Sequence, residues 1–263
     1  MVDAAVDAAT IAVGRTPVSV IRRGSGSPLL MIHDELGYPG WMSWNEQLSQ
    51  RNEFIIPLQP AYGDTPKAEW VRSYRDLAAL YAHLVRQEGL APLDVIGFSA
   101  GGFVAAEMAA AAPELFRHLV LVAPVGVRPI EGEIFDFLAV TVRTHVAATV
   151  SRTDAPEFAQ IYGGDMTPEQ FERFEDARAE TARIGWEPFM FSDSLPNRLE
   201  GLGNLPTLIV WGDDDLIVPK GCITRYEQAI PNSRTVVFNG AGHRPEIEDP
   251  EGFLSAVTGF LAQ

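Results

Sequence analysis

The chain has 263 residues, 46% of them hydrophobic and 21% charged, and its formal net charge is −15. This composition is typical of a folded globular protein, and the length allows one substantial domain with a sizeable core. The negative charge repels phosphate backbones and anionic membranes, so we expect neither a nucleic acid nor a membrane as partner.

The sequence also indicates the cellular compartment of the protein. No apolar run reaches the roughly 20 residues of a membrane-spanning helix, and residues 1–5 lack the features of a signal peptide. The one cysteine, Cys222, cannot form an intrachain disulfide, which suits a reducing compartment. We therefore expect a cytoplasmic protein. The oligomeric state is left open, a homodimer being one option.

Short apolar runs alternate with helical patterns along most of the chain. In chain order the predicted elements are strands at Val18–Ile21, Leu29–Ile32 and Phe54–Leu58, a helix over about 69–88, a strand at Leu93–Ile96, a helix over about 99–112, strands at Leu119–Val122 and Thr207–Trp211, a helix after Pro219, a strand at Thr235–Phe238 and a last helix from about Pro250. This alternation predicts an α/β fold with a mainly parallel sheet.

One gap in this rhythm is too long for an ordinary crossover. Roughly 80 residues separate Val122 from Thr207, whereas a parallel crossover needs only about a dozen or somewhat more. The surplus predicts a mostly helical cap over residues 125–200, inserted into a core of residues 1–124 and 201–263. Within it, Thr167–Gln170 fits a capping box with proline at the first helical position.

A candidate nucleophile lies in Gly97-Phe98-Ser99-Ala100-Gly101, which matches G-x-S-x-G. The motif alone is weak evidence, because a glycine-rich turn can contain an incidental serine. Its position directly after a predicted strand and before a predicted helix is what the chemistry needs. A sharp turn there exposes Ser99 at a helix N-terminus, where developing negative charge is favoured.

A serine nucleophile needs a base held by an acid. Of the histidines after Ser99, His118 begins an apolar strand and His145 lies among cap residues, whereas His243 follows the flexible loop Asn239–Gly242. The acid candidates are the adjacent Asp213, Asp214 and Asp215. Residue chemistry alone does not choose among the three.

Together these segments resemble the α/β-hydrolase superfamily, in particular its small, capped, single-domain bacterial members. The resemblance rests on His33–Gly37 (the His-Gly oxyanion segment), Ala61–Thr65 (the Gly-Tyr-Gly-x-Ser loop), Gly97–Gly101 (the nucleophile elbow), Trp211–Pro219 (the acid loop), and Gly242-His243 with Glu248, Pro250 and Phe253 behind it (the histidine loop). It implies the α/β-hydrolase fold, a mainly parallel sheet of about eight strands flanked by helices, with a helical cap inserted after strand 6.

The resemblance also implies a catalytic triad of Ser99, Asp215 and His243, since the family acid lies at the position of Asp215 between the loop's glycine and proline. The backbone N–H groups of Ala100 and Glu35 would form the oxyanion hole. The family usually has glycine where this chain has Asp34. The side chains of Asp34 and Glu35 should therefore point away from the oxyanion, or one should recognise substrate.

The expected function is a serine hydrolase of the carboxylic ester type, acting on an ester, lactone or similar acyl bond of a small, fairly apolar molecule. The alternative enzymes are carbon–carbon bond hydrolases of ring-cleavage pathways. These enzymes commonly have Trp after the catalytic His, where this chain has Arg244. The third option is a non-catalytic role in binding a ligand. The predicted pocket residues are Asp34, Phe98, Phe135, Trp186 and Phe189. No metal-ligand spacing or phosphate-binding glycine loop occurs, so neither metal nor cofactor is expected.

Overall fold

A computed structural model describes residues 8–62, 65–162 and 166–263 of the chain. Its strands are β1 (Ala8–Val13), β2 (Thr16–Gly24), β3 (Ser27–Ile32), β4 (Asn52–Pro57), β5 (Leu93–Phe98), β6 (Phe116–Val122), β7 (Thr207–Gly212) and β8 (Ser233–Phe238). They form one sheet in the order β1-β2-β4-β3-β5-β6-β7-β8. The β1–β2 and β2–β4 pairs are antiparallel and the others are parallel, which confirms the predicted mainly parallel sheet.

Helices lie on both faces of the sheet. They are α1 (Ser43–Leu48), α2 (Tyr74–Gln87), α3 (Ala100–Ala111), α4 (Val142–Ala148), α5 (Pro156–Tyr162), α6 (Pro168–Gly185), α7 (Leu195–Leu199), α8 (Lys220–Ala229), α9 (Pro245–Glu248) and α10 (Pro250–Leu261). Side chains alternate across each strand. On β3, Leu30 and Ile32 thus join one apolar core with α2 and α3, while Leu29 and Met31 join a second with α1 and α10.

The ends of the helices follow from local capping. The helix expected from about residue 69 begins at Tyr74, because the hydroxyl of Ser73 accepts a hydrogen bond from the backbone N–H of Asp76 over 3.1 Å. The predicted capping box is present at the start of α6. Thr167 Oγ1 accepts from the Gln170 N–H over 3.2 Å, and Gln170 Oε1 accepts from the Thr167 N–H over 3.0 Å.

The sequence between β6 and β7 contains α4, α5, α6 and α7 and no named strand in its described part. We call residues 125–200 the inserted segment; its status as a separate cap remains a prediction. It follows strand 6, as expected. No helix within the described ranges is both long enough and apolar enough to cross a membrane.

Candidate active site

Ser99 occupies a strained turn between β5 and α3. Its φ of 48° and ψ of −111° lie in a region that side chains other than glycine rarely adopt. The turn closes only because its neighbours lack a Cβ: one at Gly97 would overlap the Gly101 carbonyl, and one at Gly101 would overlap the carbonyl oxygens of Ile32 and His33. The turn therefore places Ser99 at the carboxyl end of β5, packed against the segment that follows β3.

The imidazole of His243 is held by one of the three adjacent aspartates. His243 Nδ1 lies 2.9 Å from Asp215 Oδ2, and both side chains are buried. Asp215 Oδ1 accepts hydrogen bonds from the backbone N–H groups of Ile217 (2.8 Å) and Val218 (2.9 Å), so both carboxylate oxygens are used. Asp213 instead accepts from the Gly240 N–H. Asp215 is thus the carboxylate that contacts His243.

The acid loop and the histidine loop touch backbone to backbone. A Cβ at Gly212 would overlap the carbonyl oxygens of Ala241 and Gly242, so this approach requires glycine. Glu248 supports the histidine loop from the other side: its Oε2 accepts from the Gly242 N–H over 2.6 Å, and its Oε1 accepts from the Ser151 N–H over 3.0 Å. The inserted segment is thereby joined to the loop that carries His243.

The charge on Asp215 favours the protonated form of His243. Burial acts to lower the pKa of His243, but the charge and hydrogen bond of Asp215, with the charge of Glu35, raise it above its usual value. Nε2 of His243 and Oγ of Ser99 have no hydrogen-bond partner among the described residues. Because Asp215 uses Nδ1, Nε2 is the ring nitrogen of His243 that remains available among the described contacts.

His33 fixes the segment predicted to form the oxyanion hole, residues 33–37, here called the oxyanion segment. His33 Nε2 accepts from the Gln59 N–H over 3.1 Å, so the ring proton is on Nδ1, which donates to the Asp34 carbonyl over 2.9 Å. Burial lowers the pKa of His33 to about 4, so the ring is neutral at neutral pH. The segment is therefore anchored by a buried, uncharged imidazole.

Both acidic side chains of the oxyanion segment have partners within the protein. Asp34 Oδ2 forms an ion pair with Arg244 Nη1, and its Oδ1 accepts from the Leu36 N–H over 3.0 Å. Glu35 Oε1 lies 3.2 Å from His145 Nε2 in α4. Burial acts to raise the pKa of Glu35, but the hydrogen bond with His145 lowers it to about 2, so Glu35 is ionised. Glu35 Oε2 has no partner within the described part of the chain.

The structure does not bring the predicted pocket residues together in one place. Phe98 lies in the core, where its ring centroid is 5.8 Å from that of Trp44. Phe135 and Phe189 are partly buried against the other core, and Trp186 is 60% exposed. Their role in a substrate pocket remains a prediction, which the exposure of Trp186 does not support. Of the motif Ala61–Thr65, Gly63 and Asp64 lie outside the described residues.

Several residues that contact His243's neighbours or the oxyanion segment were not singled out from the sequence as parts of the site. Besides Arg244 and His145 these are Tyr162, whose hydroxyl accepts from Arg244, and Thr181, whose hydroxyl is 2.7 Å from that of Tyr62. All come from the inserted segment or from the residue next to His243. Their partners are far away in sequence, so no local pattern marks them.

The sequence matches the model of the alpha/beta hydrolase family over residues 29–256. This range includes the strained Ser99 turn, the acid loop and the histidine loop. The chain belongs to the alpha/beta hydrolase family. The resemblance noted from the motifs is therefore confirmed.

Among its relatives, this alpha/beta hydrolase is 29% identical to 2-hydroxymuconate semialdehyde hydrolase of Pseudomonas putida over 267 residues, covering 92% of this chain and 89% of the relative. It is 28% identical to pimeloyl-[acyl-carrier protein] methyl ester esterase of Aeromonas hydrophila over 269 residues, covering 93% and 99%. Its fold is similar to that of 2-hydroxy-6-oxo-6-phenylhexa-2,4-dienoate hydrolase from Rhodococcus sp. strain RHA1, with a TM-score of 0.78, 17% identity and coverage of 97% and 98%. The relatives thus include hydrolases named for a muconate semialdehyde and for a dienoate, and an esterase named for a methyl ester.

Proposed function

We propose that this protein is a serine hydrolase that cleaves an ester, lactone or similar acyl bond of a small, fairly apolar substrate. Ser99 would be the nucleophile, His243 the general base and Asp215 its orienting acid. The observation that carries the proposal is the 2.9 Å contact between His243 Nδ1 and Asp215 Oδ2, in an alpha/beta hydrolase whose Ser99 lies on a strained turn. In a serine hydrolase, an imidazole held in this way by a carboxylate takes the proton of the attacking serine, which supports the proposal.

In the acylation step, Ser99 Oγ attacks the carbonyl carbon of the substrate while its proton passes to His243 Nε2. The tetrahedral intermediate then collapses, the bond to the leaving oxygen breaks, and His243 returns the proton to the leaving alcohol. Asp215 stabilises the imidazolium that forms between these events. The products are a free alcohol and an acyl group esterified to Ser99.

In the deacylation step, His243 takes a proton from a water molecule, which attacks the acyl carbon. The carboxylic acid leaves when the proton on His243 returns to Ser99 Oγ, so the enzyme is restored. We propose the N–H groups of Ala100 and Glu35 as the donors to the oxyanion. Ala100 is the first residue of α3, where backbone N–H groups have no partner within the helix. The helix N-terminus also favours negative charge there.

The negative charges described around His243 favour an uncharged substrate. The groups described around His243 include the carboxylates of Asp34, Glu35, Asp215 and Glu246, and the guanidinium of Arg244 pairs with Asp34 and Glu246. Among the described groups, Glu35 and Asp215 therefore have no cation in direct contact as long as His243 is neutral. An anionic acyl group would be repelled. The similarity to a methyl ester esterase supports the same conclusion.

Carbon–carbon bond hydrolysis is the second candidate. The similarity to 2-hydroxymuconate semialdehyde hydrolase favours it. However, the name of that enzyme denotes a substrate with a carboxylate group, which the ionised Glu35 of this chain would oppose. We therefore place ester or lactone cleavage first.

The test is intact-mass measurement after treatment with a small fluorophosphonate, followed by turnover assays with neutral esters, lactones and a dienoate ring-cleavage product. We expect one adduct on the wild-type protein, none on Ser99→Ala and much slower labelling of His243→Ala. Preferred turnover of the dienoate would make carbon–carbon hydrolysis the function. If the folded wild-type protein gives no adduct and turns over no substrate, the ligand-binding alternative replaces catalysis.

A further inference from the structure

The guanidinium of Arg244, the residue after His243, is buried with only 3% of its side chain exposed. Its Nε forms an ion pair with Glu246, and its Nη1 forms one with Asp34 and donates a hydrogen bond to the Tyr162 hydroxyl over 2.7 Å. A buried guanidinium with three oxygen partners is held in one orientation. Arg244 is therefore a fixed part of the structure beside His243.

The partners of Arg244 come from different parts of the fold. Glu246 lies in α9, directly after the histidine loop, and Tyr162 is the last residue of α5 in the inserted segment. Asp34 lies between His33 and Glu35 in the oxyanion segment. Arg244 thus joins the loop of the proposed base, the segment of the proposed oxyanion donor and the inserted segment above them.

The contact with Asp34 bears on where the Glu35 N–H points. One carboxylate oxygen of Asp34 is held by Arg244, while the other accepts from the Leu36 N–H over 3.0 Å. The Asp34 carbonyl accepts from the Gly37 N–H over 3.2 Å. These bonds define a tight turn over residues 34–37, which contains the peptide group of Glu35. Moving the Asp34 carboxylate would therefore shift that peptide group.

The same contact provides charge compensation. Burial raises the pKa of Asp34 to about 6, while the charge of Arg244 acts to lower it. Burial acts to lower the pKa of Arg244, but Glu246, Tyr162 and Asp34 raise it well above its usual value, so the guanidinium stays charged. Without Arg244, the buried carboxyl groups of Asp34 and Glu246 would lose their cationic partner.

We propose that Arg244 is a positioning residue for acyl transfer, which holds the oxyanion segment against the histidine loop and keeps the Asp34 carboxylate turned away from the oxyanion. This inference rests on the proposed serine hydrolase function. Arginine suits the task better than lysine, because its planar fork reaches several oxygens at once, whereas an ammonium group is a compact charge on a flexible stem.

Removing Arg244 also changes the electrostatic surroundings of His243. The titratable or charged groups described near His243 come from four parts of the fold. They are Asp215 of the acid loop, Asp34 and Glu35 of the oxyanion segment, Arg244, Glu246 and Glu248 beside the histidine loop, and His145 and Tyr162 of the inserted segment. Arg244 lowers the pKa of His243 against the opposite effect of Asp215 and Glu35. Charge and geometry can therefore be separated by two substitutions at one position.

The experiment compares Arg244→Lys and Arg244→Gln with the wild type in an activated neutral ester assay over a range of pH. For Arg244→Lys we expect kcat to fall roughly 10- to 100-fold, less than for outright loss of one oxyanion donor because the donor is displaced and not removed. KM should change less than about threefold, and the acidic limb of the pH profile should not move. For Arg244→Gln we expect at least the same loss of kcat and an acidic limb moved to higher pH, because the positive neighbour of His243 is gone.

A rescue and a control exclude a general loss of structure. Adding Asp34→Asn to Arg244→Gln removes the uncompensated carboxylate while keeping an oxygen for the Leu36 N–H, so kcat should recover in part. Asp34→Asn alone should lower kcat about threefold to tenfold, as for the loss of one hydrogen bond, which tests the contact even if Arg244→Gln does not fold. The matched control is Arg128→Lys, since Arg128 is an exposed arginine paired with Asp193; it should behave as the wild type.

The outcomes separate this inference from the proposed function. Suppose that the wild type is labelled by the fluorophosphonate and turns over esters, and that folded Arg244 variants have a kcat within twofold of it. This result overturns the positioning role alone. Loss confined to KM, or no rescue by Asp34→Asn, overturns it as well. A wild type with neither adduct nor turnover overturns the proposed function and this inference with it.

Discussion

His145 Nε2 lies 3.2 Å from Glu35 Oε1, and neither side chain is accessible to solvent. His145 belongs to α4 of the inserted segment, whereas Glu35 belongs to the oxyanion segment of the core. Burial lowers the pKa of His145, so its neutral imidazole donates the Nε2 proton to the ionised Glu35. The pair thus holds a negative charge where the inserted segment meets the core, within electrostatic reach of His243.

This charge should set a preference among substrates. Glu35→Gln keeps the shape of the side chain and its hydrogen-bond acceptor but removes the charge. We expect the ratio of kcat/KM for 4-nitrophenyl butyrate over 4-nitrophenyl hemisuccinate to fall about tenfold, which is about 1.4 kcal/mol and within the Coulomb energy of two charges roughly 8 Å apart. Asp214→Asn, at an exposed carboxylate of the acid loop, is the control. An unchanged ratio in Glu35→Gln would refute the charge argument.

The choice of Asp215 among three adjacent aspartates can be tested directly. Asp215→Asn should lower kcat by about 10⁴, because an amide neither selects the required tautomer of His243 nor stabilises its cation. Asp213 accepts from the Gly240 N–H and forms none of the hydrogen bonds described for His243, so Asp213→Asn should stay within a few-fold of the wild type. Steady-state ester hydrolysis measures both. Equal losses in the two variants would show that the effect is structural.

The raised pKa of His243 predicts the pH dependence of activity. The base must be neutral to accept the proton of Ser99, so kcat/KM should rise with pH along a limb whose apparent pKa lies above 6.5. The pH dependence of stability has the opposite sign to that of activity. The His243–Asp215 pair contributes most to the free energy of unfolding below pH 6.5, and this contribution is lost as pH rises through the raised pKa of His243. A profile of kcat/KM from about pH 5 to 9 tests the limb. An apparent pKa at or below 6.5 would contradict the structure.

The spacing of apolar residues and the residue types in turns made the central elements predictable from sequence. The apolar runs after Pro28 and before the Ser99 turn predicted strands, and the glycines around Ser99 predicted the elbow. The edge strand β1 was missed because its residues are mostly exposed and carry no apolar alternation. The Asp34–Arg244 pair was missed because its members are 210 positions apart, and only the folded chain brings such residues together.

The elbow should fail if a single methyl group is added to Gly101. A Cβ there would overlap the carbonyl oxygens of Ile32 and His33, which belong to backbone and cannot rotate away. Gly101→Ala should therefore displace the oxyanion segment and lower kcat at least about tenfold, since complete loss of one oxyanion donor costs about 100-fold or more. Gly259→Ala is the matched control, as a Cβ at this helical glycine of α10 meets no atom within 4 Å. Full activity in a folded Gly101→Ala protein would contradict the predicted overlap.

His33 should make the protein sensitive to mild acid. Its pKa is about 4 in the folded chain and about 6.5 when unfolded, so between these values the unfolded chain binds a proton that the folded chain excludes. The free energy of unfolding should therefore decline as pH falls from 6.5 to 4, by up to about 3 kcal/mol from this residue. His33→Gln can still accept from the Gln59 N–H through its amide oxygen, but it cannot be protonated.

We expect His33→Gln to be less stable than the wild type at pH 7, because the bond from Nδ1 to the Asp34 carbonyl is lost, yet to show a shallower decline toward pH 4. Urea unfolding at a series of pH values gives both quantities. His83→Gln, which replaces an exposed histidine on α2, should keep the wild-type slope. If His33→Gln also keeps the wild-type slope, the acid sensitivity has another source, and the anchoring of the oxyanion segment does not depend on a neutral His33.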